Sequence, residues 1–185
     1  MSFYGCWNLI NINIPNSIVF IGDEAFAYCT SLTSVIIPES VTSIGQAAFA
    51  GCTSLYEFKG KFATEDGKCL VIDNTLISFA SAGVIEYTIG NSITKIGLRA
   101  FDSSLSLKSI TIPDSVDLIR PNAFEDCSSL VVVYCKATTP PIGNEYMFRF
   151  NASDRKIYVP MESVEAYKSA LYWSNYADAI VGYNF

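Results

Sequence analysis

The sequence predicts an α/β solenoid: units of 23 residues coil one upon another, line up parallel strands, admit one hairpin insertion and end in a helical cap. Three observations predict it. AFAYCTSL at 25–32 is rewritten as AFAGCTSL at 48–55, 23 residues on. Apolar and polar residues alternate in LTSVIIP at 32–38, the period of a half-buried strand. Proline recurs in one phase, at Pro15, Pro38 and Pro113, where it ends each strand because it has no N–H to give the ladder.

The phase can be followed along the chain. Phe3, Phe26 and Phe49 are 23 apart, as are Phe101 and Phe124, and Phe49 to Phe101 is 52, or 23 plus 29. One coil is therefore six residues longer, lacks the AF..C phrase and has Gly90 in the proline slot. Cys6, Cys29, Cys52 and Cys127 share a second position, with Ser104 as the fourth copy, and Leu9, Leu32, Leu55, Leu107 and Leu130 share a third. Recurring phenylalanines at this spacing are core, each worth about 2 to 3 kcal/mol of burial, rather than a cofactor box. Each first strand turns Leu32, Val35 and Ile37, or Leu107, Ile110 and Ile112, or Leu130, Val133 and Cys135, inward. Thr33, Ser34 and Ile36 and their counterparts stay outside. In the long coil, Asp66-Gly67 and Asp73-Asn74 are turn pairs, so residues 62–80 read as an antiparallel meander projecting from the stack. Asp73 is then a turn residue and not a metal ligand.

After Lys136 the repeat dissolves into a Pro140-Pro141 connector, so residues 1–136 form the solenoid and 137–185 a capping segment of the same domain. KIYVP at 156–160 reads as a last strand. Pro160, Glu162 and Glu165 open a helix that places Val164, Tyr167 and Leu171 on one face, with Trp173, Tyr176 and Ile180 folding over the open end. Trp173 is a packing residue at that end, with ligand contact the lesser alternative.

Composition narrows the class. Half of the 185 residues are hydrophobic, and a net charge of −6 with 12 scattered Lys and Arg leaves no basic stripe for nucleic acid. No apolar run reaches a membrane-spanning length, and MSFYGCWNLI is not a secretory leader. Met1 enters the phase in mid-unit, so a fragment of a longer protein is expected. Four of the six cysteines follow the repeat, as buried thiols would; bridges from Cys6 to Cys29 or Cys29 to Cys52 are the alternative. With no histidine and no CxxC pair, no metal site and no cofactor are expected. Asn151-Ala152-Ser153 is a weak glycan-acceptor pattern.

IPESVTSIGQAAFAGCTSL, with its period, resembles the leucine-rich repeats of BspA-like bacterial surface proteins, the Treponema pallidum type, over residues 1–136. EDGKCLVIDNTLISFA and KIYVPMESVEAYKSALYWSNYADAI are similar to recurring parts of such proteins. The resemblance implies a right-handed leucine-rich repeat coil, secretion or display on the surface of a bacterium, often a gut or oral anaerobe, and adhesion to host matrix proteins or other cells. Ser104 in place of Cys, and Lys61 and Lys136 in place of Pro, depart from the pattern without disturbing the fold.

No enzyme is expected. There is no histidine to shuttle protons, no phosphate-binding glycine loop, and the carboxylates look dispersed; paired carboxylates from neighbouring coils, such as Glu57 and Glu86, carry a remote glycosidase reading. The stronger expectation is a binding module that uses the extended outward row of the strands. Ile36, Tyr56, Glu57, Lys59, Glu86, Lys108 and Tyr134 are the candidate ligand contacts, with Tyr56 and Tyr134 as anchors because interfaces favour aromatics with a polar tip. The partner would be a host or bacterial surface protein, or a glycan, with no nucleic acid and no membrane insertion. A rigid spacer that presents another domain is the competing class.

Overall fold

A computed structural model describes residues 3–185. Along the chain the strands are β1 (Phe20–Ile21), β2 (Ser34–Ile37), β3 (Ser43–Ile44), β4 (Glu57–Gly60), β5 (Cys69–Ile72), β6 (Thr75–Phe79), β7 (Glu86–Thr88), β8 (Lys95–Ile96), β9 (Ser109–Ile112), β10 (Leu118–Ile119), β11 (Val132–Cys135), β12 (Lys156–Pro160) and β13 (Ile180–Tyr183). The one α-helix among the described residues, α1, is Val164–Ser169. Stacked coils give the chain three ladders.

The front ladder holds the alternating strands. β2 pairs with β4 in parallel, and β7, β9, β11, β12 and β13 form a five-stranded parallel sheet in that order. Leu32, Val35, Ile37, Leu107, Ile110, Ile112, Leu130, Val133 and Cys135 are all buried, as the alternation requires. The second ladder joins β1 to β3, and β6 to β8 to β10, again in parallel. The third runs through the AF phrases. Phe26 N donates to Ala48 O (2.8 Å), Phe101 N to Ala123 O (2.8 Å) and Phe124 N to Met147 O (2.9 Å). Each such turn bends through left-handed residues four apart: Glu24 and Tyr28, Arg99 and Ser103, Asn122 and Asp126, Tyr146 and Phe150. Such angles are uncommon for residues other than glycine and persist here because the stack over-determines them.

Inside the turns the phenylalanines stack, with centroids 5.3 Å apart for Phe3 and Phe26, 5.2 Å for Phe26 and Phe49, and 4.8 Å for Phe101 and Phe124. The cysteine position has a polar reason as well as an apolar one. The thiols of Cys29, Cys52 and Cys127 donate to the carbonyls of Phe3, Phe26 and Phe101, each at 3.1 Å, so a small apolar side chain caps an interior acceptor of the preceding coil. Ser104 is the exception, its buried hydroxyl without a partner among the described residues.

All six cysteines are free, so the bridges Cys6 to Cys29 and Cys29 to Cys52 do not form, and Cys6 alone is exposed. Burial pushes the thiols of Cys52, Cys69 and Cys127 up to about 12 and that of Cys135 to about 11. Since only thiolate alkylates, brief iodoacetamide treatment of the native protein at about pH 8 is expected to add a single adduct, at Cys6. A second adduct in the intact-mass spectrum before unfolding would contradict this burial.

Three expectations need correction. The 62–80 segment does not project. β5 and β6 do form an antiparallel hairpin, and Asp73 and Asn74 supply its left-handed turn, but β6 pairs in parallel with β8 and so belongs to the second ladder. Its Leu70, Leu76, Phe79 and Ala80 are buried, and the Phe79 ring packs tilted against Phe101 with centroids 4.6 Å apart, filling the rung the missing phrase vacated.

Nor does the coil stop at Lys136. Ile142 bridges to Leu118 in the second ladder, Phe148 stacks on Phe124 at 5.2 Å, and Asn151 Nδ2 donates to Phe124 O at 2.7 Å, in the role of the cysteine. The phrase is hidden because the spacing slips to 24 and the residues change.

Finally, the cap is shorter than its pattern. After the turn Met161–Ser163, α1 ends at Ser169, and Tyr172 turns left-handed before Trp173–Ala179, so Leu171 is 75% exposed and does not share the face of Tyr167. Tyr167 and Trp173 are fully buried, donating to Ala137 O and Pro141 O at 2.8 Å each. Trp173 is therefore packing, and β13 rather than a helix closes the front ladder.

Candidate binding surface on the front ladder

The outward row is divided, and this corrects the single continuous surface expected from the repeat. β4 and β7 do not pair; the hairpin tip intervenes, with Phe58 N donating to Gly67 O at 2.7 Å. Ile36, Tyr56, Glu57 and Lys59 come together on the β2 and β4 side, where Ile36 faces Lys59 in register and Lys59 Nζ lies 2.8 Å from Glu57 Oε1. Ile36 and Tyr56 are well exposed. The lysine lowers the Glu57 carboxyl below its ordinary value, and the carboxylate raises Lys59, so this pair is held charged.

Glu86, Lys108 and Tyr134 belong to the other sheet. Glu57 and Glu86 thus stand on different sheets, with the hairpin tip between their strands.

On that second sheet the chain gathers side chains that spacing concealed. Tyr134 and Tyr158 face each other across β11 and β12 and stack at 5.2 Å. Tyr183 lies 5.3 Å from Tyr134 and 5.6 Å from Tyr158, and Phe185 closes edge-on at 6.1 Å from Tyr134. Lys136 Nζ stands 5.9 Å above the Phe185 ring. Tyr183 and Phe185 are 41% and 52% exposed, so about half of each ring offers contact area. Elsewhere the outward row holds mostly short polar or charged side chains, with single exposed apolars such as Ile36. A one-residue slip in register, Tyr134 to Tyr158 in 24 steps, is the signal that could have found Tyr158; Tyr183 and Phe185 follow irregular chain and leave none.

The third face carries a charge cluster the sequence did not reveal. Asp102 and Glu125 are buried carboxylates. Arg99 Nη1 is 2.8 Å from Asp102 Oδ2 and 2.6 Å from the Tyr28 hydroxyl, while its Nη2 is 3.0 Å from Glu125. Burial raises the Asp102 carboxyl, with Ser103 and Arg99 partly offsetting it, and burial beside Asp102 pushes Tyr28 up to about 12. Tyr28 reaches Arg99 by crossing the face of Gly51, where a Cβ would stand 2.5 Å from the ring. With each carboxylate matched to donors, this cluster ties coils together. Among the described residues no group of metal-ligating side chains converges, and no helix is long and apolar enough to cross a membrane.

Family comparison matches residues 1–65 and 74–181 to the BspA type leucine rich repeat region, in six copies. The chain belongs to the BspA-type leucine-rich repeat family. Among solved structures, a leucine-rich repeat protein from Eubacterium ventriosum aligns at 20% identity and TM-score 0.55 over 82% of this chain and 48% of that one. A leucine rich cell surface protein from Faecalibacterium prausnitzii aligns at 20% identity and TM-score 0.61 over 98% and 61%. At that identity the likeness is one of fold, and this BspA-type chain spans about half to three fifths of the length of those two. No curated protein matches it.

Proposed function

We propose that the chain is a non-enzymatic binding module, secreted or displayed on a bacterial surface, that holds a host or bacterial protein on the outward face of its five-stranded sheet. The aromatic cluster of Tyr134, Tyr158, Tyr183 and Phe185 carries this reading. Aromatic side chains with polar tips dominate protein interfaces because they desolvate a large area at little entropic cost, and a central group of them does most of the binding. The rings of Tyr134 and Tyr158 spend one face each on one another and meet the other rings at steep angles, so they offer edges and hydroxyls more than open faces. That suits a polypeptide better than a sugar ring, which seeks a flat exposed face. The surface location is supported by membership in the BspA type and by likeness to a protein named for the cell surface.

In a panel of immobilised matrix proteins and glycans, a protein ligand is expected to be retained. Tyr134→Ala combined with Tyr158→Ala should weaken retention at least about tenfold, and Tyr56→Ala with Lys59→Ala much less. Undiminished retention by the Tyr134 and Tyr158 variant, with its fold intact by circular dichroism, would remove this surface from consideration.

A further inference from the structure

We infer that the free edge of β7 is a second binding site, one that takes an extended segment of a partner polypeptide as an added strand. It is independent of the outward face proposed above. β7 is the last strand of its sheet and, among the described strands, pairs only with β9. Ile85 O accepts from Lys108 N and Ile89 N donates to Thr111 O, so the odd-numbered residues of this segment turn their main-chain groups to β9. Alternation then turns those of Glu86 and Thr88 the opposite way, toward a side where no strand among the described residues pairs with them. Unpaired N–H and C=O groups in a row are a template for another chain. The two edges of the break differ: β4 has Gly67 O bonded to Phe58 N, and among the described residues no main-chain bond joins the tip to β7.

Beside that edge lies a cleft of about 650 Å³, whose walls include Thr64–Asp66 on one side and Thr88 and Gly90 on the other. The walls are braced. The Tyr87 hydroxyl donates to Asp66 Oδ2 at 3.1 Å and sits 3.3 Å from the Cys69 thiol, which tethers the hairpin tip to β7. Val71, Leu76 and Ile93 line the cleft together with the exposed Glu65, and Glu86, also exposed, stands on β7 two residues before the lining Thr88. Lys68, the nearest cation on the tip, has its ammonium on the Tyr56 carbonyl. A strand alternating apolar and basic residues fits both requirements at once: its pleat directs apolar side chains to the apolar lining and basic ones to the carboxylates. Glu86 and Thr88, two residues apart, offer about 6.6 Å of pairing edge, enough for a short segment.

The test uses an acetylated, amidated hexapeptide of alternating valine and lysine, titrated into the isotopically labelled protein and followed by amide NMR. Binding is expected to shift and protect the amides of Glu86 and Thr88. Thr88→Pro removes the open-edge donor and leaves the bonds to β9 intact, so it should weaken binding about tenfold without unfolding the protein. Glu65→Lys combined with Glu86→Lys should weaken it similarly, and a valine–glutamate peptide should not bind. Tyr134→Ala should leave it unchanged, which separates this site from the outward face. The inference is overturned by any of four results: no binding of the basic peptide, equal binding by Thr88→Pro, equal binding of the acidic peptide, or a dimer in sedimentation that buries β7 against a second copy.

Discussion

Arg99→Ala is expected to lower stability by about 3 kcal/mol, near the loss seen when one partner of a buried ion pair is removed. The Asp102 side chain is fully buried and that of Glu125 6% exposed, while Arg99, itself 29% exposed, touches both. Arg149 stands 3.6 Å from Glu125 and is nearly half exposed, so it cannot substitute at Asp102. For a chain of this length the loss corresponds to a fall in Tm of about 6 to 12 °C. The exposed pair of Lys59 and Glu57 is the internal control, and Lys59→Ala should leave thermal unfolding unchanged.

The same variant carries a pH signature whose sign follows from burial. The folded Asp102 carboxyl already sits above its unfolded value of 3.8. A raised carboxyl costs stability as pH rises through its folded value, and the cost vanishes below the unfolded one. Removing Arg99 deletes an interaction that was lowering it, so the folded value climbs further. The deficit of Arg99→Ala relative to the native chain should therefore be largest near neutrality and shrink as the solution is acidified toward about pH 4. Urea unfolding at both pH values measures it; a deficit that stays constant, or one below about 1 kcal/mol at neutrality, defeats the ion-pair account.

What the sequence disclosed and what it hid divide along one physical line. Side chains that every coil must bury against its neighbour recur at a fixed interval, so Phe26, Phe49, Phe101 and Phe124, the leucines and the cysteines could be placed before any coordinate was known. Where the interval slips, the same work is done by residues out of phase: Phe79 and Phe148 fill rungs, and Asn151 replaces a thiol as the donor to Phe124. The candidate site fared less well because a binding surface obeys no internal period. Tyr134 and Glu86 were identifiable as outward strand residues, but the aromatic neighbours of the first and the unpaired edge beside the second depend on how the inserted hairpin parts β4 from β7.

That parting sets the second large effect. Phe124→Ala is expected to cost about 4 kcal/mol, within the range for a buried phenylalanine, whereas Phe3→Ala should cost about 1 kcal/mol. Phe124 is fully buried between Phe101 at 4.8 Å and Phe148 at 5.2 Å, so its loss opens two interfaces. Phe3 is 37% exposed at the described end of the stack, and among the described rings its own stacks only on Phe26. Apart from a small group of Ala27, Ala47 and Ala50, the buried apolar side chains fall into two large clusters, one built chiefly from residues 21–58 and one chiefly from 89–180, each with members in the hairpin. Damage at Phe124 should spread within its own cluster and weaken across the break in the ladders. Hydrogen exchange of Phe124→Ala is thus expected to lose protection in β8 through β13 while β2 and β4 keep most of theirs. Equal costs at the two phenylalanines would mean that the rungs do not act through their neighbours, and uniform loss of protection would mean that the hairpin joins the two clusters into one cooperative unit.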